Sequence, residues 1–220
     1  PAIMKANLDG SNAQTLDYPD YAYGGGVLSV NGSSVYTAAG SVNSVPIGGG
    51  AAVALIPGPG AVTCAIDDTN VYWVHSSSPA EIHKAPLNGD ASVTVLTNQH
   101  TLATDYQNLA LDDASVYWPN SIEHTLNKVT KDGVTQTVLM AMDAGSGPSA
   151  VVTDGVNLYW LQYGPAALMK MPVGGGAPVT MVTGAAVATP PSNTPLPPLA
   201  VDGTSVYWLN PPAIMKVAKN

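Results

Sequence analysis

The sequence LAVDGTSVYW at residues 199–208 is one of five variants of a single phrase in this chain. The other four are LSVNGSSVYT, CAIDDTNVYW, LALDDASVYW and VVTDGVNLYW, at residues 28–37, 64–73, 109–118 and 151–160. Each variant has three alternating residues, a short turn rich in Asp, Gly, Asn and Ser, and a strand with an apolar-Tyr-Trp core, or apolar-Tyr-Thr in the first. Alternation on both sides of such a turn indicates a β-hairpin.

Each phrase is followed by two further predicted strands. The third has the pattern apolar-x-Lys and ends in a Gly-containing turn, and the fourth is exemplified by residues 134–139. The Lys recurs as Lys5, Lys84, Lys128, Lys170 and Lys216, with Ser44 in its place after the first phrase. We interpret these lysines as solvated charges that block edge pairing.

The phrases recur at a regular interval. Their tyrosines are Tyr36, Tyr72, Tyr117, Tyr159 and Tyr207, with steps of 36, 45, 42 and 48 residues. Four strands per unit of about 40 residues indicate an all-β fold, a β-propeller of four-stranded antiparallel blades. We predict one domain, 1–220, with five blades at 26–57, 62–97, 107–140, 149–183 and 198–220, the last closed by 1–17. A six-bladed ring or a truncated array is the alternative, since there are six candidate third strands and five first-and-second pairs. PAIMK at 1–5 recurs at 212–216, which fits either arrangement.

Composition limits the classes of partner. The formal net charge of −8 makes nucleic acid and anionic membrane surfaces poor partners, and there is no Arg for bidentate phosphate clamps. No signal peptide or run of 18 apolar residues is visible, so we expect no membrane span. Cys64 is the single cysteine and occupies a position that is Leu or Val in the other phrases. We expect it to be a small buried hydrophobe.

The phrase Val-Asp-Gly-Thr-Ser-Val-Tyr-Trp at 201–208, followed by Met215-Lys216, resembles the YWTD-type repeats of the low-density lipoprotein receptor propellers. It is closer still to tandem repeats of secreted bacterial propeller proteins. The resemblance covers nearly the whole chain and implies a propeller that binds ligands outside the cytoplasm. The pairs that follow Tyr-Trp here replace the Thr-Asp of the receptor motif: Val74-His75, Pro119-Asn120, Leu161-Gln162 and Leu209-Asn210.

Two sets of residues could hold a metal. The first is the Asp of each phrase, Asn31 in the first copy and then Asp67, Asp112, Asp154 and Asp202. A calcium ring is one interpretation, but no Asp-x-Asp-x-Asp loop is present, so we favour turn residues that bond their own backbone. The second set is His75, His83, His100 and His124, which show no metal-binding spacing. We therefore predict no cofactor and no metal site, with calcium as the alternative.

The candidate ligand-binding residues lie on loops that a propeller gathers on one face. One group directly follows the Tyr-Trp strands, and another occupies the long loops between blades, where Tyr, Asn and Gln suit sugar recognition. The candidates are Tyr18, Tyr21, Tyr23, His75, Tyr106, Asn120, Gln162, Tyr163 and Asn210. The alternative is that these are ordinary polar loops.

We expect a secreted or cell-surface propeller that binds a glycan, or a protein as the alternative, rather than an enzyme. Glu81 and Glu123 are the only glutamates, and no nucleophile elbow, zinc motif or phosphate loop is visible. A propeller lyase or glycosidase remains the third alternative. The sequence does not define an oligomeric state.

Overall fold

The structure is a computed structural model that describes residues 2–7, 9–17, 28–76, 80–88, 93–97, 108–184 and 199–219. Its regular elements in these ranges are β-strands, arranged as antiparallel sheets. Within them no helix has the length and apolar character needed to span a membrane. Contacts group the chain into two compact units, Pro1–Ser77 with Ile82–Thr94, and Ser78–Glu81 with Val95–Asn220.

The N-terminal part of the chain forms a two-stranded and a six-stranded sheet. Strands β1 (Ile3–Lys5) and β2 (Gln14–Asp17) form the small sheet. The large sheet has six strands in sequence order: β3 (Leu28–Val30), β4 (Ser34–Pro46), β5 (Val53–Ile66), β6 (Asn70–His75), β7 (Glu81–Pro86) and β8 (Thr94–Thr97).

Strands β4 and β5 are long because each joins two strands of the predicted pattern. Where later repeats have a polar loop, residues 37–41 read Thr-Ala-Ala-Gly-Ser, which continues β4 without a break. The predicted boundary between the first two blades, at 57–62, likewise falls inside β5. The first two predicted blades therefore share one continuous sheet.

The second unit has three sheets. The first contains β9 (Ala110–Leu111), β10 (Ser115–Asn120), β11 (Thr125–Thr130) and β12 (Gln136–Ala141). The second contains β13 (Gly147–Thr153), β14 (Asn157–Tyr163), β15 (Ala167–Pro172) and β16 (Val179–Thr183). The third contains β17 (Leu199–Val201), β18 (Ser205–Asn210) and β19 (Ala213–Ala218). Two of the three sheets thus have the predicted four antiparallel strands, in meander order.

Three of the Tyr-Trp strands, β6, β10 and β14, are buried on both faces. Tyr117 packs in one apolar cluster with Trp160 of the following repeat, and Tyr159 packs in another with Trp208. Tyr36 and Trp73 make the same pairing in the first unit. Because alternate strand residues point to opposite faces, Tyr covers one neighbour and Trp the other. This pattern explains why the phrase is apolar at consecutive positions.

Cys64 is fully buried in the apolar cluster of the first unit. Burial raises the pKa of its thiol to about 12, so the thiolate that would act as a nucleophile is disfavoured. The prediction that Cys64 is a small buried hydrophobe is confirmed.

The first residue of each hairpin turn fixes the hairpin. In Asp202, Oδ1 accepts hydrogen bonds from the backbone N–H groups of Thr204 and Ser205, at 2.7 and 2.8 Å. In the other repeats the side-chain Oδ1 likewise accepts hydrogen bonds from the backbone N–H groups two and three positions further on. These residues are Asn31, Asp67, Asp112 and Asp154. The prediction that these side chains bond their own turn is confirmed.

Two of the strand-three lysines bond the neighbouring repeat. Lys5 Nζ donates to the backbone oxygen of Ile47 at 2.9 Å, and Lys170 Nζ donates to that of Lys219 at 2.6 Å. Both acceptors directly follow the third strand of the next repeat. The interpretation of Lys5 and Lys170 as solvated edge charges is wrong, because each is partly buried and ties one sheet to the next.

The predicted shared blade of the two chain ends stays a prediction. Strands β1–β2 and β17–β19 form two separate sheets within the described residues. The five-blade count is a prediction for the same reason.

Candidate functional site

The structure describes five of the nine candidate binding residues. His75 lies in the first unit, and Asn120, Gln162, Tyr163 and Asn210 lie in the second. The remaining four, Tyr18, Tyr21, Tyr23 and Tyr106, lie outside the described residues. Their part in ligand binding stays a prediction.

Asn120 ends strand β10 and fixes the turn that follows it. Its side chain is fully buried, and its Oδ1 accepts hydrogen bonds from the N–H groups of Ile122 and Glu123, at 3.1 and 3.0 Å. The turn ends at His124, which has a left-handed φ of 57°. Asn120 therefore presents the next residues to solvent rather than being exposed itself.

Tyr163, at the end of β14, reaches this turn from the neighbouring sheet. Its phenol donates to the backbone oxygen of Ser121 at 3.1 Å and lies 3.4 Å from Nδ1 of His124. Burial raises the pKa of Tyr163, so the phenol stays protonated and acts as a donor. Gly147 lies so close that a Cβ there would be 2.5 Å from the phenol oxygen. Tyr163 and Asn120 thus brace the same turn from two directions.

We call residues 120–124 the Ile122 turn. Ile122 is 55% exposed although it is a large apolar residue, and its backbone is fixed by Asn120. Sequence reasoning passed over Ile122 because it sought polar and aromatic side chains. The signal available was an apolar residue two positions after an Asn in a turn sequence.

The other two candidates in the second unit have separate places. Gln162 is half-buried and pairs in register with Pro148 and Ala167. Asn210 is also half-buried and pairs with Ala213 at the end of β18. Gln162 is next to Tyr163 in the chain, whereas Asn210 ends a strand of a different sheet.

Three buried polar atoms on the sheet face that carries Asn120 were not predicted from the sequence. Trp118 pairs with Asn127 across β10 and β11, and alternation puts Asn120 on the same sheet face as Trp118. Within the described chain, Nε1 of Trp118, Nδ2 of Asn120 and Oδ1 of Asn127 are buried without a hydrogen-bond partner. A polar group that reached this face would meet two donors and one acceptor.

His75 ends strand β6 in the first unit. Its imidazole is half-buried and stacks on that of His83, with ring centroids 5.1 Å apart and planes 8° from parallel. The sequence analysis found no metal-binding spacing among the histidines, and so did not pair the two.

No family model matches the chain, and no curated protein matches it. Solved structures do resemble it. A structure of a nidogen/laminin complex has a TM-score of 0.61 at 21% identity, covering 84% of this chain and 78% of that one. TolB from Acinetobacter baumannii has a TM-score of 0.67 at 10% identity, covering 97% and 56%. A putative TolB from Agrobacterium tumefaciens has a TM-score of 0.64 at 13% identity, covering 92% and 75%.

These likenesses and the antiparallel sheets define the class of the fold. The chain is an all-β, β-propeller repeat protein that resembles the YWTD type. At these identities the likeness concerns the fold alone, so function has to be argued from the site.

Proposed function

We propose that this chain is a non-enzymatic binding propeller whose Ile122 turn contacts a protein partner. The observation that carries the proposal is a large apolar side chain, 55% exposed, on a turn fixed from within by Asn120 and from the next sheet by Tyr163. Ordering a loop on binding costs free energy, and a turn already fixed avoids most of that cost.

The chemistry of the turn supports a protein rather than a sugar as its ligand. An apolar anchor next to backbone and phenol polar groups is typical of the centre of a protein interface. The phenol of Tyr163 is engaged by Ser121, which leaves it less suited to bind a sugar hydroxyl. The protein solved as a nidogen/laminin complex, which resembles this chain in fold, adds a further argument for a protein partner.

A glycan is the second candidate ligand. Gln162 and Asn210 are partly exposed amides two positions after a Tyr-Trp pair, and amides bind sugar hydroxyls well. The tyrosines at 18, 21, 23 and 106 would supply flat faces for sugar rings. A glycan array with the wild-type chain and a double variant, Tyr21→Ala with Tyr106→Ala, tests this candidate. A hit lost in the variant would favour the glycan.

We further propose that the protein works outside the cytoplasm, secreted or at the cell surface. The support is the resemblance to low-density lipoprotein receptor repeats and to secreted bacterial propellers. Fractionation of cells that produce the protein natively tests this, and recovery in the cytoplasm alone would contradict it.

Site-specific photocross-linking tests the protein-binding proposal. Benzoylphenylalanine at position 122 should form a discrete cross-linked band in native cells. The matched control is the same residue at position 134, because Val134 is 79% exposed and follows β11 at the opposite end of the same sheet. A band at 122 and none at 134 supports the proposal, and equal labelling of the two positions overturns it.

A further inference from the structure

We propose that His75, Glu81 and His83 bind one divalent metal ion, of which Zn²⁺ is the natural candidate. These residues lie on the adjacent strands β6 and β7 of the six-stranded sheet. The ligand atoms of these three side chains all lie within 4.8 Å of one another, and all three residues are half-buried. The group is local to two adjacent strands of one sheet. It is independent of the function proposed for the Ile122 turn.

The hairpin brings the three side chains together for a simple reason. His75 is the last residue of β6 and Glu81 is the first residue of β7. Glu81 and His83 are two positions apart on one strand, so they point to the same face. The stacked rings of His75 and His83 show that His75 shares that face.

The imidazole of His75 packs against the backbone at position 60, where only glycine leaves enough room. A Cβ on Gly60, in the neighbouring strand β5, would be 2.6 Å from Nε2 of His75 and 2.9 Å from Cδ2. Gly60 also has a φ of 113°, which L side chains rarely adopt. Its carbonyl accepts a hydrogen bond from the N–H of Ser76 at 2.7 Å, which holds the strand end carrying His75 against it.

The donor set selects the class of metal. Two imidazoles and one carboxylate suit Zn²⁺ and other late first-row ions, whereas Ca²⁺ and Mg²⁺ prefer all-oxygen sets. Three protein ligands leave a fourth position of a tetrahedral ion open to water or another group. Metal–ligand bonds of about 2.0–2.2 Å require the three atoms to approach to roughly 3.4 Å. Binding should therefore turn the two imidazoles out of their parallel stack.

Trp73 supplies a built-in reporter. Its indole lies edge-on to the His83 ring, with centroids 5.3 Å apart. A paramagnetic ion such as Co²⁺ or Ni²⁺ bound to His83 should quench the fluorescence of Trp73.

The test is titration of metal-free protein with ZnCl₂ by calorimetry, and with CoCl₂ by visible absorption. We expect one Zn²⁺ per chain, and intense visible bands of tetrahedral Co²⁺. His75→Gln and His83→Gln should each weaken Zn²⁺ binding at least about a hundredfold, and Glu81→Gln at least about tenfold, since each removes a direct ligand.

The matched control is His124→Asn, which removes an imidazole elsewhere and suits the left-handed φ of that position. It should leave Zn²⁺ binding unchanged. Gly60→Ala should also lose the Co²⁺ bands. An unchanged urea transition for each variant would show that the bands are lost because the site has changed, and not because the protein has unfolded. Equal Zn²⁺ affinity in wild type and His83→Gln would overturn the proposal. Weak binding of several Zn²⁺ ions per chain, unchanged in every variant, would overturn it as well.

Discussion

The phenol of Tyr207 donates a hydrogen bond to Oδ2 of Asp202 at 2.8 Å, and the two residues are five positions apart across the hairpin turn. The same carboxylate binds the turn backbone through Oδ1. It therefore joins the turn to the second strand of the hairpin. Equivalent bonds occur at Asp67–Tyr72, Asp112–Tyr117 and Asp154–Tyr159, at 2.8, 2.6 and 3.0 Å. In the first repeat the amide of Asn31 donates instead to Tyr36, at 3.2 Å.

The charge on the acceptor should decide how much each of these bonds stabilises the protein. Tyr72→Phe removes a donor to a carboxylate, and we expect it to lower the free energy of unfolding by about 2 kcal/mol. Tyr36→Phe removes only a neutral bond in the same sheet, so we expect a loss of about 1 kcal/mol or less. Urea denaturation followed by tryptophan fluorescence measures both. A larger loss for Tyr36→Phe would contradict the comparison.

Asp154 should make stability depend on acid pH. Burial alone would raise its pKa, but bonds from Lys219, from the backbone of Asn157 and Val156, and from Tyr159 outweigh it and hold the pKa well below its usual range. A lowered folded-state pKa gives stability that is complete above the unfolded value of about 3.9 and is lost as pH falls towards the folded value. The gap in melting temperature between wild type and Asp154→Asn should therefore narrow below about pH 4.

Lys219→Met provides the check on the cause. In the wild-type protein the ammonium of Lys219 lies 2.8 Å from Oδ2 of Asp154, and both side chains are largely buried. Its removal should shrink the acid-dependent loss of stability in the same window. Parallel melting curves for wild type and Asp154→Asn across this range would show that Asp154 contributes nothing.

Lys170 should stabilise the link between two repeats. Its Nζ donates to the oxygen of Lys219 and lies 5.9 Å above the ring centre of Tyr159. Lys170→Met keeps the apolar stem but removes the bond, and we expect a loss of about 1–2 kcal/mol in the free energy of unfolding. Lys216→Met is the control, because Lys216 holds the same place in the fifth repeat and is exposed. Equal effects of the two variants in urea denaturation would count against the link.

Gly147 should be required for the position of Tyr163. Gly147→Ala would put a Cβ 2.5 Å from the phenol oxygen and 2.8 Å from Cζ, displacing the phenol from Ser121. We expect a loss of about 1–3 kcal/mol, as for other overpacked sites. Tyr163→Phe removes the closest atom, so the double variant should lose less than the sum of the two single variants. Strict additivity in the double-mutant cycle would show that the two residues do not interact.

The sequence predicted the repeated hairpin well because the evidence for it is local. Alternation, turn residues and the period of the Tyr-Trp phrase depend on neighbouring positions, and the Asp turns follow from the same logic. The bond from Tyr207 to Asp202 was not predicted, although the five-residue spacing recurs in every copy. It depends on the hairpin turning the two side chains towards each other, which residue order alone does not show.

The candidate site was harder to predict because it depends on burial. Asn120 looks in the sequence like an exposed polar residue after a strand, yet it is fully buried and serves the backbone of Ile122. The place of Lys5 and Lys170 between repeats likewise depends on how consecutive sheets pack. His75 and His83, eight positions apart, match no metal motif, and strand pairing brings them together.

The most direct measurement of the central claim is the affinity of the cross-linked partner for two variants. Ile122→Asp places a charge on the proposed contact, and Val134→Asp places the same charge on a more exposed apolar residue at the other end of the sheet. We expect Ile122→Asp to weaken binding at least about a hundredfold, the scale of a truncated interface anchor, and Val134→Asp to leave it unchanged. Equal Kd values for wild type and Ile122→Asp would contradict the assignment of binding to the Ile122 turn.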